Sequence, residues 1–318
     1  MLRLLAINLA VTAGLLLGIE GCVRLALPEI RPLGSDARLA KNGRFGSTPG
    51  LRPYATGRSG GVARTVDAEG FWQYAPSHER AGSPLPGWLF LGDSVTMGPG
   101  VAADSTFAGR VAAALDTTVV LNPSLIGYQA ADYVTLLDAL LNERPDIGRV
   151  TVFWCLNDAY APRQWVGTTA PTVRASEGLL FDFLRRHVRT YQWAKATFAD
   201  RPLAYYRHDR AFYTSDSAFA SAASSLRALD SIATEHGVRL DLVALPYEAQ
   251  LRADAPADSF EPQRRLREAA AAEGLPFYDA AEAFDGVSDP AALYRYGDGI
   301  HFSERGHALL ARYLRARL

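Results

Sequence analysis

Hydrophobic and polar positions divide the chain into four stretches. From Leu4 to Ile19 the side chains are apolar apart from Asn8 and Thr12, with Arg3 before them and Glu20-Gly21-Cys22-Val23-Arg24 behind. From Pro28 to about Gly61 there is little periodicity and much Pro, Gly, Arg and Ser, a pattern that predicts a flexible linker. Val62 to Tyr74 alternates in part and carries Phe71-Trp72, as an edge strand or hairpin does. Beyond Gly82-Ser83-Pro84-Leu85-Pro86, short apolar runs and helical stripes take turns.

Gly87 to Leu91 is apolar and aromatic, the pattern of a buried strand. Ser105 to Leu115 predicts a helix, with Phe107, Val111 and Leu115 at four-residue spacing. Thr117 to Leu121 and Arg149 to Cys155 predict strands, separated by a helix over Ala130 to Leu141. Further on, strands are expected at Val238–Leu245 and Pro276–Tyr278, and helices at Ser217–Glu235, Glu261–Glu273 and Glu304–Arg317, the last capped by Ser303. Such alternation predicts a parallel, doubly wound α/β sheet with helices on both faces. The expected division is an N-terminal segment (1–27), a linker with edge strands (28–84) and a main domain (85–318) with an insertion at about 159–215.

The N-terminal run is at the short end for a membrane span, although Leu25 to Leu27 can extend it past Glu20 and Arg24. A cleaved signal is the competing reading. No Ala-x-Ala site follows, and Glu20 fits a lipoprotein box at Cys22 poorly, so a retained anchor is preferred. Arg31, Arg38, Lys41 and Arg44 follow the segment, and simple charge counting would leave the body cytoplasmic. Long domains translocate largely regardless of such charges, and the expected location of the body is periplasmic or extracellular.

Composition narrows the function. The 318 residues are 48% hydrophobic with a net charge of -1, which excludes a disordered chain and argues against a nucleic-acid binder. Cys22 and Cys155 are not expected to pair, and no Cys/His spacing suggests a metal site.

Candidate chemistry gathers at the carboxyl ends of the strands, where open α/β sheets bind ligands. The first predicted strand ends in Gly92-Asp93-Ser94, which would expose a hydroxyl there; an ordinary polar turn is the alternative. Gly127, beyond the second strand, can offer a backbone N–H, though alone it reads as a helix-entry turn. Asn157, beyond the third, can donate to an oxyanion or cap a turn. Asp298 and His301 share a tight loop before the final helix, a spacing that lets the carboxylate orient the imidazole.

With these four blocks in this order, the sequence resembles the SGNH, or GDSL-type, hydrolases, and Gly92 to Val101 looks like exported bacterial members. The resemblance covers roughly residues 85 to 318. It implies a flavodoxin-like three-layer α/β/α sandwich around a mainly parallel, five-stranded sheet. It also implies a serine esterase with Ser94, His301 and Asp298 as catalytic residues and an oxyanion hole from Ser94, Gly127 and Asn157. No organic cofactor or metal is required. Cys155 stands where the family often has Gly, which predicts adjusted packing. The absence of Gly-x-Ser-x-Gly argues against the α/β-hydrolase fold.

The expected partners are a small-molecule or glycan ester and the membrane, with no nucleic acid. Two other classes stay open: an envelope O-acyltransferase or deacetylase acting on a polysaccharide, and a non-catalytic carbohydrate-binding module on the same fold. The insertion begins directly after Asn157 and should overhang the site. Its aromatic residues (Tyr160, Trp165, Phe181, Phe183, Tyr191, Trp193, Tyr205, Tyr206) and Arg185, Arg186 and Arg189 are candidates for substrate contact, against ordinary packing.

Overall fold

The computed structural model describes residues 1–31, 35–74, 85–160, 183–184 and 187–318. Its centre is a five-stranded sheet made of β5 (Gly87–Gly92), β6 (Val119–Leu121), β7 (Ile147–Trp154), β8 (Arg239–Ala244) and β9 (Phe277–Asp279). The spatial order is β6-β5-β7-β8-β9, and every neighbouring pair is parallel. This is the expected flavodoxin-like order, in which the direction of strand addition reverses at β5: β6 is laid on one side of it and β7 to β9 on the other. All six residues of β5 are buried, because a parallel sheet is covered on both faces and its strands are apolar throughout.

Helices complete the three layers. The helix α4 (Ala130–Glu143) buries Tyr133, Leu136, Leu137 and Leu140. It lies beside α7 (Asp216–Glu235), which buries Phe219, Leu226 and Leu229 and is followed by α8 (Glu261–Ala272). The C-terminal α9 (Glu304–Arg317) packs against the short α3 (Phe107–Ala112). Ser303 caps α9, its hydroxyl accepting from the Gly306 N–H at 3.3 Å. The helix expected over Ser105–Leu115 is shorter than the pattern suggested. Thr106 takes extended backbone and accepts the Gly109 N–H at 3.1 Å, so the cap moves the start from Ser105 to Phe107, the first apolar residue of the stripe.

The flexible linker expected from Pro28 to Gly61 is replaced by ordered hairpins. β1 (Ala40–Phe45) pairs with β2 (Thr48–Leu51), and β3 (Thr56–Ser59) pairs with β4 (Val62–Thr65), both antiparallel. The glycines that suggested flexibility are turn residues. Ser59 faces Val62 across Gly60 and Gly61, both with positive φ, the geometry of a two-residue hairpin turn. Leu39, Phe45 and Leu51 are too sparse to show a period, yet each is buried in the main core. The hairpins are also bonded to the sheet's loops: the Tyr128 hydroxyl donates to the Pro49 carbonyl at 2.7 Å, and the Trp72 N–H donates to the Asn122 carbonyl at 3.0 Å.

The N-terminal helix α1 (Leu2–Ala26) is exposed from Arg3 to Ile19 and is long and apolar enough to cross a membrane. From the insertion, α5 (Arg189–Phe198) and α6 (Arg201–Arg210) are described, whereas Trp165, Phe181, Arg185 and Arg186 lie outside the described residues.

Candidate active site

The site is built where β5 stops. Asp93 turns the chain, and its Oδ1 accepts the Val95 N–H at 2.8 Å, starting the four-residue helix α2 (Ser94–Met97) with Ser94 at its first position. The turn leaves no room for a side chain at residue 92, since a Cβ there would lie 2.0 Å from Thr96 Oγ1. The helix ends at Gly98, whose φ of 71° is left-handed. Ser94 is only 6% exposed, with its hydroxyl facing the loop that precedes α9.

From that loop, His301 Nε2 lies 2.9 Å from Ser94 Oγ, and His301 Nδ1 lies 2.9 and 3.0 Å from the two Asp298 oxygens. Asp298 Oδ1 also accepts the N–H groups of Ile300 and His301, at 3.0 and 2.8 Å. Burial alone would raise the pKa of Asp298. The adjacent His301 and its hydrogen bonds outweigh burial and hold the carboxyl well below the ordinary range. A charged carboxylate against Nδ1 favours the tautomer that carries its proton there, leaving Nε2 free to accept.

The Ser94 hydroxyl has one proton and two acceptors in reach, His301 Nε2 and, at 3.1 Å, Asp93 Oδ2. Asp93 is fully buried. Burial pushes its pKa up, against the opposing pull of the Val95 N–H, His301, Asn157 and Ser94. The contact to His301, at 2.9 Å, is the shorter of the two.

Asn157 sits at the carboxyl end of β7, in the 3-10 turn Leu156–Ala159. Its Nδ2 donates to Asp93 Oδ2 at 3.3 Å, which puts the amide beside Ser94. Its neighbour Asp158 takes the capping role instead, accepting the Cys155 N–H at 2.7 Å. Gly127 follows β6 with a φ of 88°, half-buried in the loop before α4. Ser94 and Asn157 thus lie at the switch point between β5 and β7, and Gly127 lies on the loop of the adjoining strand. Cys155 is buried with its Sγ 3.8 Å from the Tyr247 hydroxyl, and burial pushes its thiol pKa far up, so it is an inert packing residue.

Two insertion helices press on the histidine loop. A Cβ on Gly297 would lie 2.4 Å from Ala196 Cβ of α5, and one on Gly299 would lie 2.4 Å from Pro202 of α6. Of the aromatic candidates, Tyr206 is buried with its hydroxyl on the Ser259 carbonyl at 2.9 Å, an ordinary packing role. Tyr160 bonds to the buried Asp209.

Two residues near Ser94 escaped the sequence reading. Arg64 of β4 is 2% exposed and donates to the carbonyl of Met97 at 3.0 Å and to that of Gly98. Its guanidinium also faces the Trp72 ring, 5.6 Å from the centroid. The available signal was alternation, which puts Arg64 on the inward side with Val66. His307 is fully buried in α9 and accepts the Phe107 N–H on Nδ1 at 3.1 Å. Nothing in the sequence marked it, because its partner is a backbone group about 200 residues away.

The carboxyl edge of the sheet thus brings together a hydroxyl, an imidazole, two carboxyl groups and a side-chain amide. The profile of the GDSL-like lipase/acylhydrolase family matches residues 90–309, and the chain belongs to that family. It is an ester-hydrolysing enzyme, which sets aside the non-catalytic binding module. No curated protein matches it in sequence. Among solved structures it is similar to TesA, at 17% identity and a TM-score of 0.46, covering 72% of this chain and 96% of that one. It is also similar to an extracellular lipase from Streptomyces rimosus, at 15% identity and a TM-score of 0.48 over 73% and 100% of the two chains. The esterase EstA from Pseudoalteromonas sp. gives 13%, 0.43, 72% and 94% on the same measures.

Proposed function

We propose that the enzyme cleaves an acyl or acetyl ester of the bacterial cell envelope through an acyl-enzyme on Ser94. Ser94 Oγ attacks the ester carbonyl while His301 Nε2 takes the hydroxyl proton and Asp298 holds the imidazole in place. The Ser94 and Gly127 N–H groups and the Asn157 amide receive the negative charge that grows on the carbonyl oxygen. The tetrahedral species collapses, and the alcohol leaves with the proton from His301. Water then gives its proton to His301, attacks the acyl carbon and frees the carboxylic acid as Ser94 regains its proton.

The observation that carries this reading is the 2.9 Å approach of His301 Nε2 to Ser94 Oγ, with Asp298 on the opposite ring nitrogen. A fluorophosphonate probe tests it: the wild type should be labelled on Ser94, and undiminished labelling of Ser94→Ala would remove Ser94 as nucleophile. We further propose that α1 holds the enzyme in the inner membrane with the hydrolase domain on the periplasmic side. The exposed apolar length of α1 supports the membrane attachment, and the periplasmic side follows the reading that long domains translocate largely regardless of flanking charge.

A further inference from the structure

α1 does more than lead into the domain. The exposed stretch ends at Ile19, and at Glu20 the helix meets α5. The Glu20 carboxylate closes the N-terminal end of α5. Oε1 accepts the Arg189 N–H at 3.0 Å, and Oε2 accepts both the N–H and the hydroxyl of Thr190 at 2.8 Å. Arg24, one turn on, pairs with Glu20 at 2.7 Å and donates to the His187 carbonyl at 2.7 Å. Val23 is buried, and Ile30 is buried beside Arg31, Gln192, Arg295 and Asp298. The far end of α5 carries Ala196, which packs on Gly297 of the histidine loop. Contact therefore runs unbroken from the apolar helix to the loop that carries Asp298 and His301.

We propose that α1 is a retained anchor, docked rigidly on the hydrolase domain through Glu20, which holds the Ser94 site against the bilayer to act on esters carried by membrane-resident lipids. The substrate part rests on the esterase reading above. A segment destined for removal has no reason to supply a carboxylate that caps a helix of the mature fold. Length adds a second argument. Although α1 as a whole is long enough to span, the part ahead of the docking contact, Leu4 to Ile19, covers roughly 24 Å at 1.5 Å per residue, so crossing the roughly 30 Å hydrocarbon core also takes in part of the docked stretch. With Glu20 fixed to α5, the shortfall draws the domain down onto the headgroups. Along α5, Ala196 lies only about 10 Å from the Glu20 contact.

The test uses the full chain in lipid nanodiscs and two substrates: a water-soluble butyryl ester, and the same butyryl ester borne by a lipid in the disc. Intact mass should show residues 1–21 retained; a chain beginning at Cys22 overturns the proposal. In Glu20→Ala, kcat/KM on the lipid-borne ester should fall about tenfold through lost orientation, while the soluble ester stays within about twofold. Glu20→Gln keeps the side chain's size and should fall between. Equal losses on both esters would mean a general structural role, and no loss on either would mean no docking function; each overturns the proposal. Wild-type protein inactive on both esters would sink the esterase reading and the substrate class with it, and the mass measurement would still decide whether the anchor is retained.

Discussion

Arg64 donates to the carbonyl of Met97 at 3.0 Å, so a hairpin outside the central sheet holds the last turn of the helix that begins at Ser94. A four-residue helix has little stability of its own, and its carbonyl groups need outside donors. The same hairpin accepts the Gly100 N–H on the Ser59 carbonyl at 3.1 Å, pinning the loop beyond it. In Arg64→Met the Met97 and Gly98 carbonyls lose a charged donor in a buried place. The expected cost is about 1.5–3 kcal/mol, read from urea unfolding. An unchanged or raised midpoint would mean that burying the guanidinium costs as much as its bonds return.

Asn157 tests the oxyanion assignment. Asp158 already caps the turn, so Asn157→Ala should leave thermal stability nearly unchanged. Charge on the carbonyl oxygen grows only as the bond to Ser94 forms, so the loss should fall on kcat with KM little altered. One such donor is worth about 10²–10³-fold. Lowered stability with unaltered kcat per folded molecule would take Asn157 out of the site.

His307 predicts the acid limb of stability. Burial, aided by Arg64, Arg110 and His301, pushes its pKa down to about 3. In the unfolded chain the group titrates near about 6.5, so between these values the unfolded state binds more protons. Its contribution is complete above about pH 6.5 and is lost as pH falls, at up to about 1.4 kcal/mol per pH unit. Gln at 307 can still accept the Phe107 N–H and does not titrate. Between pH 7 and 4.5 the wild type should lose on the order of 2 kcal/mol more stability than His307→Gln. Parallel curves for the two proteins would refute the assignment.

Location is open to a direct check. Protease added to intact spheroplasts should degrade the hydrolase domain of the full-length protein. Complete protection, with degradation only after lysis, would put the domain on the cytoplasmic side.

What the sequence determined by itself was everything carried by local pattern. Alternating apolar runs and helical stripes were enough for the parallel sheet, because each strand must be buried on both faces and each crossover needs a helix. The Gly92-Asp93-Ser94 turn, Asn157 and the Asp298–His301 spacing were legible because each block is a few residues long, the first two at strand ends and the third just before the last helix. The tertiary structure decided what depends on distant partners. It turned the apparent linker into two hairpins, since sparse apolar residues such as Phe45 and Leu51 find a core only once the sheet exists. It gave Arg64 and His307 their places beside the nucleophile turn, through bonds to backbone groups that no residue type announces. It also joined Glu20 to Thr190, about 170 positions on, where a single acidic residue ending an apolar run had looked only like an imperfection in a membrane segment.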